Sequence, residues 1–142
     1  MRILQPSGWT PPKGYANGVA ARGTLVFVGG QIGWNGQQRF ETDDFVGQAR
    51  QALANVVAVL REGGAAPEHI TRMTWYVVDR REYVASYREL GAAYRDIVGR
   101  HFPAMCLLGV TELFTPGSHI EIEGLAYVEA GGAGGREGAP GA

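Results

Sequence analysis

A single cysteine, Cys106, in 142 residues excludes an internal disulfide and any cysteine-built zinc site. Neither sign of charge dominates: 13 Lys and Arg against 14 Asp and Glu give a net charge of −1 and a pI near 6.3. The chain therefore has no basic footprint for nucleic acid, and no acidic or polybasic block for a membrane surface. No run approaches the ~20 apolar residues of a spanning helix. The opening "MRILQPSGW" has neither the basic start nor the apolar stretch of a signal peptide, so the expectation is a cytoplasmic protein with no membrane and no nucleic-acid partner. Three histidines, His69, His101 and His119, lack metal-ligand spacing to one another or to Cys, Asp or Glu, and no metal site is expected. "GGQIG" is not followed by the helix a dinucleotide fingerprint requires, and no Ser or Cys sits in a nucleophile elbow.

What is present is an ordinary globular balance, 45% apolar and 19% charged, in a length that suits one domain. Residues 1–13, with Pro6, Pro11 and Pro12, read as an extended lead-in. A single domain is expected over 14–129. Residues 130–142 form a Gly/Ala-rich segment without an apolar anchor, expected to be disordered.

Within the domain, "NGVAARGTLVFVGGQI" reads as two short strands around a hairpin turn at Arg22-Gly23. In "TDDFVGQARQALANVVAVLREGG" the residues Phe45, Ala49, Ala52, Val56 and Leu60 recur at helical spacing. Asp43 and Asp44 suit its N-terminal dipole, and Gly63-Gly64 ends it. "HITRMTWYVVD" is β-branched and aromatic, hence a strand. "DRREYVASYRELGAAYRDIVG" predicts one second helix, with Asp79 and Glu82 as a capping pair and a stripe of Tyr83, Tyr87, Leu90, Tyr94 and Ile97. Strands in "AMCLLGV" and "SHIEIEGLAYV" complete the order β-β-α-β-α-β-β, an α+β arrangement.

Two helices cover only one face of such a sheet. In the last strand Ile120, Ile122, Ala126 and Val128 point one way, and His119, Glu121, Glu123, Leu125 and Tyr127 the other. Met73, Trp75 and Val77 share one face of the middle strand. Placed beside the carboxylates on the uncovered side, they would sit in water, so a homo-oligomer that buries this mixed face is expected.

The candidate chemistry is sparse. Glu121 and Glu123 lie roughly 6 to 7 Å apart at ~3.3 Å per residue, and either a general base or an ion-paired strand face fits them. Met105 and Cys106 alternate in the uncharged "HFPAMCLLGV", so one faces the core, and a structural cysteine suits Cys106. Tyr15, between Gly14 and Ala16, stands where it could cap a pocket.

The stretches "GYANGV" before "LVFVGGQI", "QARQALANVVAVL", "MTWYVVD", "FPAMC" and "IEIE" resemble, in that order, the RidA family of reactive-intermediate deaminases, also called YjgF/UK114. The resemblance covers about Gly14 to Val128. It implies a chorismate-mutase-like fold, a mixed sheet with two helices on one face, and a homotrimer with three clefts between subunits. It further implies cofactor-free hydrolysis of enamines and imines to a carbonyl compound and ammonia. By position, Glu121 is the water-activating glutamate, Tyr15 and Gly30 shape the pocket, and Met105, Cys106 and Leu107 form its wall.

Where the family carries a carboxylate-binding arginine after "PA", this chain has Met105. Gly29 stands where a hydroxyl residue is common, and Gly91 where an asparagine is expected. Losing the arginine removes a charge-assisted hydrogen bond of about 1.5–3 kcal/mol, roughly ten- to a hundred-fold in affinity. Three readings stay open: a deaminase of altered specificity, its substrate acid neutral or held by Arg22, Arg72 or Arg100; a non-catalytic metabolite-binding trimer; and an endoribonuclease, which the acidic pI disfavours.

Overall fold

The computed structural model describes residues 1–129; the segment 130–142, expected above to be disordered, lies outside the described residues. Ten elements follow one another: strand β1 (Arg2–Leu4), β2 (Gly18–Ala20), β3 (Thr24–Ile32), helix α1 (Phe45–Glu62), a 3-10 turn (Pro67–His69), β4 (Ile70–Val77), α2 (Arg80–Ala85), α3 (Tyr87–Ile97), β5 (Ala104–Gly109) and β6 (Ile120–Val128). The main sheet has the order β3-β6-β4-β5, with β4 and β5 parallel and the other pairs antiparallel. Among the described residues no helix is long and apolar enough to cross a membrane.

Helix α1 follows its sequence pattern. Asp44 caps it by accepting the Gly47 N–H at 2.7 Å, and Phe45, Ala49, Ala52, Leu53, Val56 and Leu60 are buried. These side chains and Leu90 and Tyr94 of α3 pack on Val28, Met73, Trp75, Val77, Ile120, Ile122 and Ala126 of the sheet. Gln48, in the same helix, is fully buried. Its amide donates to the carbonyls of Thr42 and Gly117, and its oxygen accepts the His119 N–H at 2.8 Å. A buried amide with all three bonds made fixes the chain entering β6 to the first turn of α1.

Four expectations need correction. Met73, Trp75 and Val77 do share a face, but it is the helix-covered one, opposite Gly124, Ile122 and Ile120 of β6; alternation says which residues share a face, and helix docking decides which face that is. The two strands flanking Arg22-Gly23 do not form a hairpin: β2 pairs with β1 of the lead-in, and β3 pairs with β6. Gly23, at φ +145°, lies against the Val128 carbonyl, where a Cβ would not fit. The second helix is broken at Ser86 (φ −102°, ψ 14°) into α2 and α3. Last, Asp79 caps α2 through the Arg81 N–H at 2.8 Å, while Glu82 turns away to His119 Nδ1 at 3.1 Å.

Among the described residues no element covers the opposite sheet face. Cross-strand pairing puts Leu25, Phe27, Thr74, Tyr76, Cys106, Leu108, Glu121, Glu123 and Leu125 on it. Phe27 is 72% exposed, and Phe114, in the loop before β6, is wholly exposed.

Candidate functional site

Strand β6 lies between β3 and β4, so Glu121 and Glu123 stand in the middle of the open face. The β3–β6 register shifts between Val28 and Gln31, a bulge that spans Gly29 and Gly30. A bulge re-aims the strand locally, and here it places Gly30 directly under the Glu121 carboxylate. A Cβ on Gly30 would overlap Glu121 Oε1 and fall 2.8 Å from its Cδ, whereas a Cβ on Gly29 would meet nothing within 4 Å. Among the described residues Glu121 has no hydrogen-bond or ion-pair partner. Glu123 differs: it accepts the Tyr76 hydroxyl at 2.8 Å. That bond, with burial and the charges of Glu123 and Glu121, raises the Tyr76 pKa, and Arg72 opposes the rise. Arg72, Thr74, Phe27, Gly29 and Glu123 line a hollow of about 420 Å³ on this face.

Met105 lies elsewhere. It is paired with Met73 and faces the helices. In one chain β4 separates it from β6, two strand spacings or about 10 Å, and it is on the other side of the sheet from Glu121. It forms the floor of a cavity of about 380 Å³ with Trp75, Tyr94, Phe102, Gly91 and Arg95. Cys106 is exposed and pairs with Thr74 on the open face. Leu107, 45% exposed, pairs with Trp75. Tyr15, 43% exposed, precedes Ala16, whose N–H donates to the Pro103 carbonyl at 2.8 Å; it lines a separate hollow with Arg100, His101 and Phe102. The structure thus joins Glu121 to Gly30, and Tyr15 to the entry of β5, but it does not bring the two groups together within one chain.

The histidines hold the framework. His69 Nδ1 accepts the Ala66 N–H, and His101 Nε2 lies 2.6 Å from the Ile70 carbonyl. Sequence reasoning missed Gln48, which fixes the approach to β6, and Arg95, whose guanidinium lies across Gly91; Nη1 would be 3.3 Å from a Cβ there. Gly91 was the only sign of the latter.

An α+β sheet with its two main helices on one face, a bulge under a central glutamate and an open second face define a small domain of the chorismate-mutase-like fold. Residues 8–128 match the family model described as Endoribonuclease L-PSP. The chain is 32% identical over 121 residues to a RutC family protein of Aquifex aeolicus, covering 85% of this chain and 94% of that protein. A solved structure of the Rid family protein YyfB from Yersinia pestis superposes with a TM-score of 0.79 at 29% identity, over 89% of this chain and 98% of that one. Escherichia coli TdcF with bound serine superposes with a TM-score of 0.64 at 25% identity, over 91% of this chain and 100% of that one. The chain belongs to the RidA/YjgF (Endoribonuclease L-PSP) family.

Proposed function

We propose that the protein is a cofactor-independent enamine and imine hydrolase of the Rid type, working as a homotrimer at clefts between subunits. The observation that carries this reading is the Glu121 carboxylate, held over Gly30 and unpartnered among the described residues. A carboxylate free of competing bonds can take a proton from water. In the reaction an enamine takes a proton from solvent at carbon to give the iminium ion. Water then adds to the C=N carbon as Glu121 receives one of its protons, and that proton passes to the nitrogen. The C–N bond breaks as the remaining hydroxyl proton is lost to Glu121 and from there to solvent, which restores the proton taken up at the start, releases ammonia and leaves a carbonyl group.

The trimer is supported by the open face, where Leu25 and Phe27 lie exposed on one edge strand and Leu108 on the other; large apolar side chains left exposed in this way mark a contact site. It is supported too by the separation of Glu121 from Met105, since only a neighbouring subunit can bring the two walls together. Tyr15 and Leu107 belong to the wall on the Met105 side, whereas Cys106, between Met105 and Leu107, opens onto the Glu121 face. Of the arginines weighed as substitutes for the missing clamp, Arg72 lies with Glu123 and Arg100 with Tyr15, and neither lines the Met105 cavity.

Ammonia release from freshly generated enamines tests the reading. Wild type should exceed the spontaneous rate, and Glu121→Gln should fall to it while keeping the assembly state. No release by wild type from either small or aromatic enamines would leave a trimer that only binds metabolites.

A further inference from the structure

The cavity beneath α3 has a chemistry that the family resemblance does not supply. Its walls are aromatic: Trp75 tilts toward Tyr94 with ring centroids 6.4 Å apart, and Tyr94 stacks on Phe102 at 5.7 Å with an interplanar angle of 8°. Met105, flexible and polarizable, forms the floor. Its size, about 380 Å³, lies in the range of small-ligand pockets, and mostly apolar walls with a few polar groups are what such pockets have. Tyr87 follows the helical stripe of Tyr83, Leu90 and Tyr94, yet it is 64% exposed, because it stands at the cavity mouth instead of closing over the core.

Two cations line the same cavity, Lys13 and Arg95. Among the described residues no carboxylate lies within ion-pairing distance of either. Glu89 borders the adjoining groove with Arg88 and Arg95 without pairing to them. Arg95 can lie across α3 toward the cavity because residue 91 is glycine; a larger side chain there would meet Nη1. Trp75 lines the cavity although it is only 4% exposed, and its Nε1 is buried without a partner among the described residues.

We infer that this cavity is a binding site for a small aromatic carboxylate, its ring between Trp75, Tyr94 and Met105 and its carboxylate on Arg95, with Lys13 adding positive charge. If the reading under Proposed function holds, on which this extension alone rests, the substrates are aromatic 2-enamino and 2-imino acids. Arg95 then supplies from a helix the clamp that Met105 does not supply from β5.

Calorimetric titration of the full-length protein with phenylpyruvate and with pyruvate, both stable 2-oxo acids, tests binding without turnover. Phenylpyruvate should bind at least about tenfold more tightly than pyruvate. Arg95→Gln should weaken phenylpyruvate by roughly ten- to a hundred-fold, the loss expected for one charge-assisted contact. Met105→Arg, which puts a cation on the cavity floor, should reverse the preference toward pyruvate. Arg95 is exposed, so its variant should fold, and a coincident thermal melt checks this. Equal affinity for the two acids, or an Arg95→Gln affinity equal to wild type, would overturn the assignment. Tight phenylpyruvate binding with no ammonia release from any enamine would uphold the binding site and remove the hydrolase reading.

Discussion

Gly30→Ala separates the position of Glu121 from its chemistry. The glycine has an ordinary backbone angle, so alanine meets no conformational strain there. The obstacle is the Glu121 side chain. Ordinary contact begins at 3.4 Å, and a Cβ at residue 30 would stand 2.8 Å from Glu121 Cδ. The carboxyl carbon must therefore retreat by at least about 0.6 Å, and Oε1, which is closer still, by more than an ångström. Displacing a catalytic group by about 1 Å costs on the order of a hundredfold in rate, or about 2.7 kcal/mol of transition-state stabilisation. Stability should change little, because the flexible end of a half-buried side chain yields and removing a glycine restricts the unfolded chain by about 0.4–1 kcal/mol. Gly29→Ala is the matched control, since its Cβ enters open space. Thermal melts and steady-state ammonia release on the three proteins should show near-equal Tm values, near-wild-type turnover for Gly29→Ala and roughly a hundredfold loss for Gly30→Ala. Equal turnover in the two alanine variants would refute the claim that the Glu121 position over Gly30 matters to the reaction.

Phe27→Lys places a charge on the open sheet face, on edge strand β3, without touching the helix-side core, so sedimentation should show folded, smaller species where wild type forms an oligomer; an unchanged mass would remove this part of the face from the interface. Gln48→Leu leaves the His119 N–H and the Thr42 and Gly117 carbonyls without their partner. At about 1–3 kcal/mol for each buried group left unsatisfied, urea unfolding should report a loss of about 3 kcal/mol or more, and a loss under about 1 kcal/mol would show that water replaces the amide freely.

The parts legible in the sequence were those set by local periodicity. Helix α1 declared itself by its apolar spacing, and the alternation of Ile120 and Ile122 with Glu121 and Glu123 gave both faces of β6. Period 2 could not tell which face of β4 the helices would choose, so Met73, Trp75 and Val77 were placed on the wrong one. The hairpin at Gly23 looked complete locally, but β3 finds its partner about a hundred residues away, and no local rule competes with that. The Glu121–Gly30 pairing came from resemblance; the Arg95 contact across Gly91 joins i, i+4 neighbours of one helix and so lay within the helical spacing, but that this side of α3 opens on a cavity with Trp75 and Met105 became visible only in the fold.

The strand order has a consequence for how the protein comes into being. Because β6 lies between β3 and β4 although it follows every other element in the chain, two of the sheet's three seams stay open until the last residues of the domain have emerged from the ribosome. A nascent chain stopped before Ile120 has α1 and α3 but lacks the strand that joins β3 to the β4–β5 pair beneath them, and it exposes the edges of β3 and β4 to any other strand nearby. The residue proposed for catalysis thus arrives in the segment that completes the fold. For this chain, maturation of the site and the end of folding are one event, and chaperone dependence should peak just before it.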